Sequence, residues 1–586
     1  MNLTELVNSL FTNTVDISLP AFRPELTLCV TIVLMLLSRI LFGSRFSAFW
    51  IALAGSIVGF YLAVQSWETN TIGREEIFTG LLVYDRFTIY FRAFLLLFAI
   101  LFILLTRLSG IPDREDSPDF YSLVLGGILG MCLMASANHL LMIFLAVEMA
   151  SVPSYALAGM LKGRRESSEA ALKYVIYGAG AAGIMLYGIS LLAGLLGSCH
   201  LPTMAWQLSH LIESGTMQDR YMVLVLAGLM VAVGLAFKLS AVPFHFWCPD
   251  VFEGASAEVN AYLSVASKAG ALALLVRIAI GFTTVPADLA VAAPVAPVTA
   301  TSATTSTIPV VAVSVPVAVT ATDSATSNAA TSTATVLKGV NASAHAASLT
   351  PIRQFIMLLV AFIAAITCTF GNLAAYGQRN IKRMLAYSTI AHAGYMMMPV
   401  AAAVALTGVN DIAAKAAYAV IPFYVAVYLF MNLGAFAIVA FLRNQFRTEQ
   451  ITDYAGLVRQ SPGLVICFAT ILFSLVGLPP LAGFAGKLLI FASLVDAIQV
   501  DWARHTMIVL LVVGGVNTAL SLFYYLNVIK TMTLDPEPTN RVQGQFPMIS
   551  PAGAYIVLVT LPVLVLGLFW NELNILAKEA TKNLFS

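Results

Sequence analysis

Five ionisable residues stand inside runs of sequence that could otherwise dissolve in oil. Glu148 lies in HLLMIFLAVEMASVPSYALAG, Lys173 in SSEAALKYVIYG, and Lys238 in GLAFKLSAVPFHFWCPD. Lys268 lies in SVASKAGALALLVRIAI and Lys487 in FSLVGLPPLAGFAGKLLIF. A charged side chain at mid-membrane costs about 2.5–3.5 kcal/mol, so five left unpaired would cost roughly 12–18 kcal/mol. That rivals the whole stability of a domain, about 5–15 kcal/mol, so these groups must face one another or water. A buried lysine's proton affinity moves readily, one way with desolvation and the other beside a carboxylate. One acid and a row of such lysines can pass a proton from site to site. His245 and His392 are further candidates, for proton uptake or for a polar axis. A structural histidine is the plainer alternative for each. The competing reading for the lysines is snorkelling from a span end, and it has most force at Lys173, less than two turns from one. Asp85, Arg86 and Arg92 in YDRFTIYFR read as a structural pair at a helix head.

The elements that carry these residues are membrane spans. The chain is 59% hydrophobic and 10% charged, against about 25% charged in a soluble domain, and its mean hydropathy is +0.87. The net charge of +1 gives no sign of a nucleic-acid partner. With about 20 apolar residues per crossing, fourteen helices are expected, near 26–42, 48–66, 81–106, 119–137, 139–160, 169–197, 222–240, 255–281, 352–376, 384–406, 414–442, 463–497, 506–531 and 549–570. They are numbered spans 1 to 14. The opening residues lack the basic start and early apolar core of a signal peptide. The fold class is therefore all-α and polytopic.

Basic residues fall in alternate loops, at Arg45, Arg107/Arg114, Lys162/Arg164/Arg165, Arg379/Lys382/Arg383, Arg443/Arg447/Arg459 and Lys530/Arg541. Such loops stay cytoplasmic, which puts both termini outside. Spans 7 and 12 are interrupted, by Pro243 and Pro249 and by Gly477, Pro479 and Pro480. Breaks at corresponding places in two halves suggest inverted repeats around a mid-membrane site. The division is 1–117 (spans 1–3), 118–282 (first repeat, spans 4–8), 351–535 (second repeat, spans 9–13) and 536–586 (span 14 and tail). Residues 283–350, almost all Ala, Val, Thr, Ser and Pro, read as a low-complexity outer loop.

The same residues carry a resemblance. The phrases ANHLLMIFLAVEMASVPSYALAG, SSEAALKYVIYGA, GLAFKLSAVPFHFWCPDVFEGA, ASKAGA, FGNLAAYGQRNIKRMLAYSTIAHAGY and GLPPLAGFAGKL occur in order. The stretch from about residue 80 to 535, apart from the insert, resembles the antiporter-like membrane subunits of bacterial NADH–quinone oxidoreductase (respiratory complex I), subunit N above all. The resemblance implies a fourteen-helix subunit with inverted five-helix repeats, moving protons through half-channels joined by a polar axis. It implies proton-translocating roles for Glu148, Lys173, Lys238, Lys268 and Lys487, and a place in the bacterial inner membrane among other membrane and peripheral subunits. Lys487, and a short tail after span 14, favour subunit N over its sister subunits. The insert and the stretch GASAEV, with its acid Glu258, depart from the family pattern.

Scattered cysteines, with no C-x-x-C pair, and the lack of a dinucleotide fingerprint or paired haem histidines argue against a redox centre or metal in this chain. NAD, FMN, iron–sulfur clusters and quinone are then expected on partner subunits. Two alternatives stay open: a subunit of a multi-subunit sodium/proton antiporter, and a membrane scaffold whose buried ion pairs only lock helices together.

Overall fold

The computed structural model describes residues 3–43, 47–69, 73–113, 116–161, 163–215, 220–285, 348–538 and 544–585. The insert read at 283–350 lies almost wholly outside the described residues. Thirteen described helices are long and apolar enough to cross a membrane. A further crossing, span 12, is made by two short helices, Pro462–Val476 and Ala482–Ala497. Span 7 is likewise cut, into Tyr221–Leu239 and Trp247–Gly254.

Local chemistry sets many boundaries. Proline occupies the first turn of spans 1, 4, 9, 12 and 14, where its missing N–H leaves no bond unmade. Asp85 caps span 3 by accepting from the Thr88 amide at 2.8 Å. Gly110 and Gly197, in the left-handed conformation, end spans 3 and 6.

Spans 8 and 10 are buried along their whole apolar windows and span 11 along most of its own, so these three form the core. Spans 1, 2, 6, 13 and 14 turn most of their windows outward, with Leu34, Ile40, Tyr61, Leu172, Val512 and Leu561 exposed. An apolar surface of this kind belongs against lipid or another apolar chain.

Four features depart from the expected pattern. Residues expected to open span 3 instead form β2 (Leu82–Tyr84) of a hairpin with β1 (Glu75–Ile77), and the helix begins only at Arg86. A helical segment from Leu3 precedes span 1, and the Ser18 hydroxyl accepts from the Phe78 amide of the hairpin at 2.9 Å. An amphipathic helix, Leu201–Glu213, lies between spans 6 and 7. The tail folds as a helix, Trp570–Thr581, tied to the head of span 3 by Arg86–Glu579 at 3.3 Å.

Alternate loops share a face. Pairings Leu82↔Ala137 and His139↔His200 bring the loops after spans 2, 4 and 6 together, with the tail helix. On the opposite side Asn380↔Gln450 joins the loops after spans 9 and 11. Ile111, Leu161 and Arg164, from the loops after spans 3 and 5, line the same cavity there. The described ends of the chain therefore lie on one face and the basic loops on the other.

Candidate functional site

The two broken helices set the site. The first half of span 7 ends at Ser240, which holds a left-handed conformation with φ +55°. Carbonyls at such an end have lost their helical donors and need others. Trp247 donates its indole N–H to Phe237 O at 3.1 Å. Lys268, from span 8, donates its ammonium to Lys238 O at 3.3 Å and to the Ser240 hydroxyl, and lies 5.3 Å from the Trp247 ring centre. The break exposes the negative end of a helix dipole beside Ser240, which favours a positive group there.

Lys238 points elsewhere. Its ammonium donates to the Ser151 hydroxyl of span 5 at 3.1 Å. Ser151 lies one turn after Glu148 on the same helix, and the Glu148 charge acts on Lys238. The expected shared site is thus built around Ser151, with no direct ion pair between the two among the described residues.

In the second half, Pro462–Val476 ends at Gly477 with φ +92°. Lys487, one turn into the following helix, reaches back to donate to Val476 O at 2.7 Å and lies 4.6 Å from the Tyr395 ring centre. Its contacts make it the counterpart of Lys268, since both ammonium groups close the exposed end of a half-helix. Sequence position had paired it with Lys238, because both lie in broken spans. The Cβ of an alanine at Gly477 would stand 2.9 Å from Lys487 Cδ, so the turn and the lysine are fitted to each other.

His392 lies between the two lysine groups, on span 10, and is buried. Its Nδ1 is 2.8 Å from the Tyr424 hydroxyl, its Nε2 is 3.4 Å from that of Tyr525, and Tyr428 packs 5.3 Å from its ring. His245 sits within the break of span 7 against Phe370 at 4.4 Å, with its buried Nδ1 unbonded. Lys173 is not part of the buried row. It is partly exposed and held by Glu169 at 2.9 Å and Asp250 at 2.8 Å, while Arg383 takes the other Asp250 oxygen at 2.9 Å.

The expected structural pair at the head of span 3 resolves into three separate pairs. Asp85 is gripped by both guanidinium nitrogens of Arg277 on span 8, at 2.6 and 2.7 Å. Arg92 pairs with buried Glu25 on span 1, and Arg86 with Glu579 on the tail. Partners 67 or more residues apart in sequence cannot be matched by local spacing, which is why they were missed. Arg277, alone in ALLVRIAI, did carry the same signal as the lysines. The reading also passed over a cluster of buried Lys382 and Glu258 with partly buried Glu449 and Arg443, where Lys382 meets Glu449 at 2.8 Å and Arg443 meets Glu258 at 3.8 Å. Three of these sit beside loops and looked like solvated face.

Comparison with known proteins gives one answer. Residues 137–309 and 309–518 match the family described as NADH:quinone oxidoreductase/Mrp antiporter, transmembrane. NADH-quinone oxidoreductase subunit N of Anaeromyxobacter sp. is 33% identical over 572 residues, 96% of each chain. A subunit N 2 of Sorangium cellulosum is 34% identical and covers 94% of this chain. A chain of respiratory complex I from Thermus thermophilus, solved with bound aureothin, is 28% identical, with TM-score 0.64 over 94% of this chain and 97% of that one. A chain of the Mrp complex from Dietzia sp. superimposes with TM-score 0.72 at 17% identity, over 97% of this chain and 98% of that one, and so shares the fold. The chain belongs to the NADH-quinone oxidoreductase subunit N family of antiporter-like membrane proteins.

Proposed function

We propose that this chain is a proton-translocating membrane subunit of a bacterial NADH–quinone oxidoreductase. The observation that carries the reading is the company its buried lysines keep. Lys238, Lys268 and Lys487 donate to hydroxyls and to helix-end carbonyls, and no carboxylate pairs with them at ion-pair distance among the described residues. A lysine clamped to an acid strands a buried charge when it loses its proton. A lysine on a carbonyl or hydroxyl does not, so its proton can leave and return at low cost. The proposed axis runs from Glu148 through Lys238 and Lys268, past the His392–Tyr424 pair, to Lys487.

The fourteen spans are read as three leading helices, two inverted five-helix repeats over 118–282 and 351–535, and a closing helix. The matched half-helix ends at Ser240 and Gly477 support that division. The basic face is placed in the cytoplasm and both termini outside. Lys173, with Asp250 and Arg383, then lies toward the cytoplasmic rim, and Lys487 becomes the release site. NAD, FMN, iron–sulfur clusters and quinone are assigned to partner subunits.

The Mrp-like fold keeps a sodium/proton antiporter subunit as the second reading. Co-purification with a flavin- and iron–sulfur-containing complex decides between them, and its failure would favour the antiporter. Within such a complex, Glu148→Gln is expected to assemble and to pump poorly in sealed vesicles. Normal pumping by a fully assembled Glu148→Gln complex would leave the charges as a scaffold.

A further inference from the structure

Nothing in the axis above uses Glu258. It occupies the first turn of the helix Ala257–Ser264 at the head of span 8. It is fully buried, and neither carboxylate oxygen accepts a hydrogen bond from the protein. A buried carboxylate without donors is expensive, and the structure compensates only loosely. Arg443 of span 11 approaches to 3.8 Å, and the charges of Arg443 and Glu258 both act on Lys382 of span 10. Lys382 itself is taken by Glu449 at 2.8 Å and by Ala255 O at 2.9 Å. Two cations and two acids thus meet at the junction of spans 8, 10 and 11, where the two proposed repeats touch.

Water reaches that junction. Arg443 and Glu449 line an open polar cavity of about 450 Å³ with Leu161, Arg164 and Asn380, room for several waters at ~30 Å³ each. Inward of Glu258, Lys268 lies ten residues along the same span, about 15 Å at 1.5 Å per residue. Polar atoms without protein partners mark the interval: the Asn260 carbonyl and Ser267 hydroxyl on span 8, and the Asn432 amide and Tyr428 hydroxyl on span 11. Span 11 packs against Ala257–Ser264. Buried polar groups of this kind are normally satisfied by ordered water.

We propose that Glu258 is a proton-loading acid, fed through Arg443 from the cavity that the end of span 11 shares with the loops after spans 3, 5 and 9, and discharging toward Lys268. The carboxylate takes a proton from cavity water, leaving hydroxide to the bulk, and becomes neutral. The proton then passes along the interval to Lys268 when that amine is neutral, and the carboxylate is restored. Arg443, at 3.8 Å and with no hydrogen bond to it, keeps the anion in place without binding it tightly. The facing charged groups are Arg443, Lys382 and Glu449.

The inference rests on the proton-translocating reading, so Glu148→Gln serves as the control. The measurements are complex content, NADH–quinone electron transfer and pumping in sealed vesicles with the basic face outward. Glu258→Gln is expected to assemble and to lose about a hundredfold in pumping, the low end of the range for a removed acid–base group. Its remaining pumping should climb as the outer medium is acidified, because Lys268 must then be protonated without a relay. Glu258→Asp should restore most of it. Leu161→Trp, which narrows the cavity and leaves Glu258 and Arg443 untouched, should also slow pumping. Normal pumping by Glu258→Gln alongside a defective Glu148→Gln overturns the loading role and leaves the axis standing. Failed assembly of Glu258→Gln, or slow pumping with no response to acid, makes the cluster an interface lock and overturns it too. If Glu148→Gln also pumps normally, both readings fall.

Discussion

The buried charges of this protein divide by partner rather than by type. Arg277 and Arg92 are held in full ion pairs. Arg277 binds Asp85 through two nitrogens and adds Thr88 Oγ1 at 2.7 Å and Ala135 O at 2.8 Å. Such a pair is structural, and its loss leaves a stranded charge worth about 3–5 kcal/mol. Asp85→Ala is therefore expected to lower the melting temperature and the assembled fraction sharply. Asp85→Leu with Arg277→Leu should recover part of both, as thermal melts of the purified complexes would show. Lys238, Lys268 and Lys487 differ, since no carboxylate stands at ion-pair distance from them among the described residues. Lys487→Arg keeps the charge but cannot release a proton, so a translocating role predicts that Lys487→Arg and Lys487→Met both pump poorly. A scaffold predicts near-normal pumping for Lys487→Arg. Pumping rate against complex content in the two variants separates the cases.

At the scale of elements, the breaks matter more than the spans. Gly477 needs a positive φ, and an alanine there would be strained and would press on Lys487. Gly477→Ala is expected to cost about 1–2 kcal/mol and to reduce pumping. Gly515→Ala, on span 13 with open space around the new methyl, should do neither. The hairpin on the opposite face is a second local device. Glu76 accepts from Asn138 at 2.9 Å and lies 3.0 Å from His200 Nε2. Burial alone would raise its carboxyl, but His200, Asn138 and Arg74 hold it below 4.5. A carboxyl lowered by folding gives stability that is full above its ordinary value and lost as pH falls through the folded one. Hairpin amides should accordingly keep their hydrogen-exchange protection from neutral pH down to about 5, after correction for intrinsic rates, and lose it only below about 4.5. Earlier loss would mean that another group holds the hairpin.

At the scale of the molecule, two halves each end a helix inside the bundle and close that end with a lysine. The core spans 8, 10 and 11 separate the breaks and carry His392, Tyr424 and Tyr428 between them. The insert stands apart from this plan. Its Ala/Thr/Val/Ser/Pro composition cannot bury a core of its own. Replacing residues 286–347 by a Gly/Ser linker is expected to leave complex content and pumping unchanged, and loss of assembly would give the segment a role that composition does not suggest.

The sequence by itself determined the solvent, the number of crossings, the two breaks and the candidate lysines. Each follows from a cost paid locally: an apolar run must find oil, proline must interrupt a helix, and a charge in such a run must be compensated. Which group compensates which was decided only by tertiary structure. Asp85 could not be matched to Arg277 across 192 residues, nor Glu25 to Arg92, because periodicity says which face a residue occupies and nothing of what meets that face. Hairpin and tail helix went unread for a related reason, since short amphipathic pieces at a membrane surface carry little apolar signal. Lys238 and Lys487 looked equivalent because both lie in broken spans. Packing turned one toward Ser151 and the other back onto its own broken helix, so that in its contacts Lys487 is matched by Lys268.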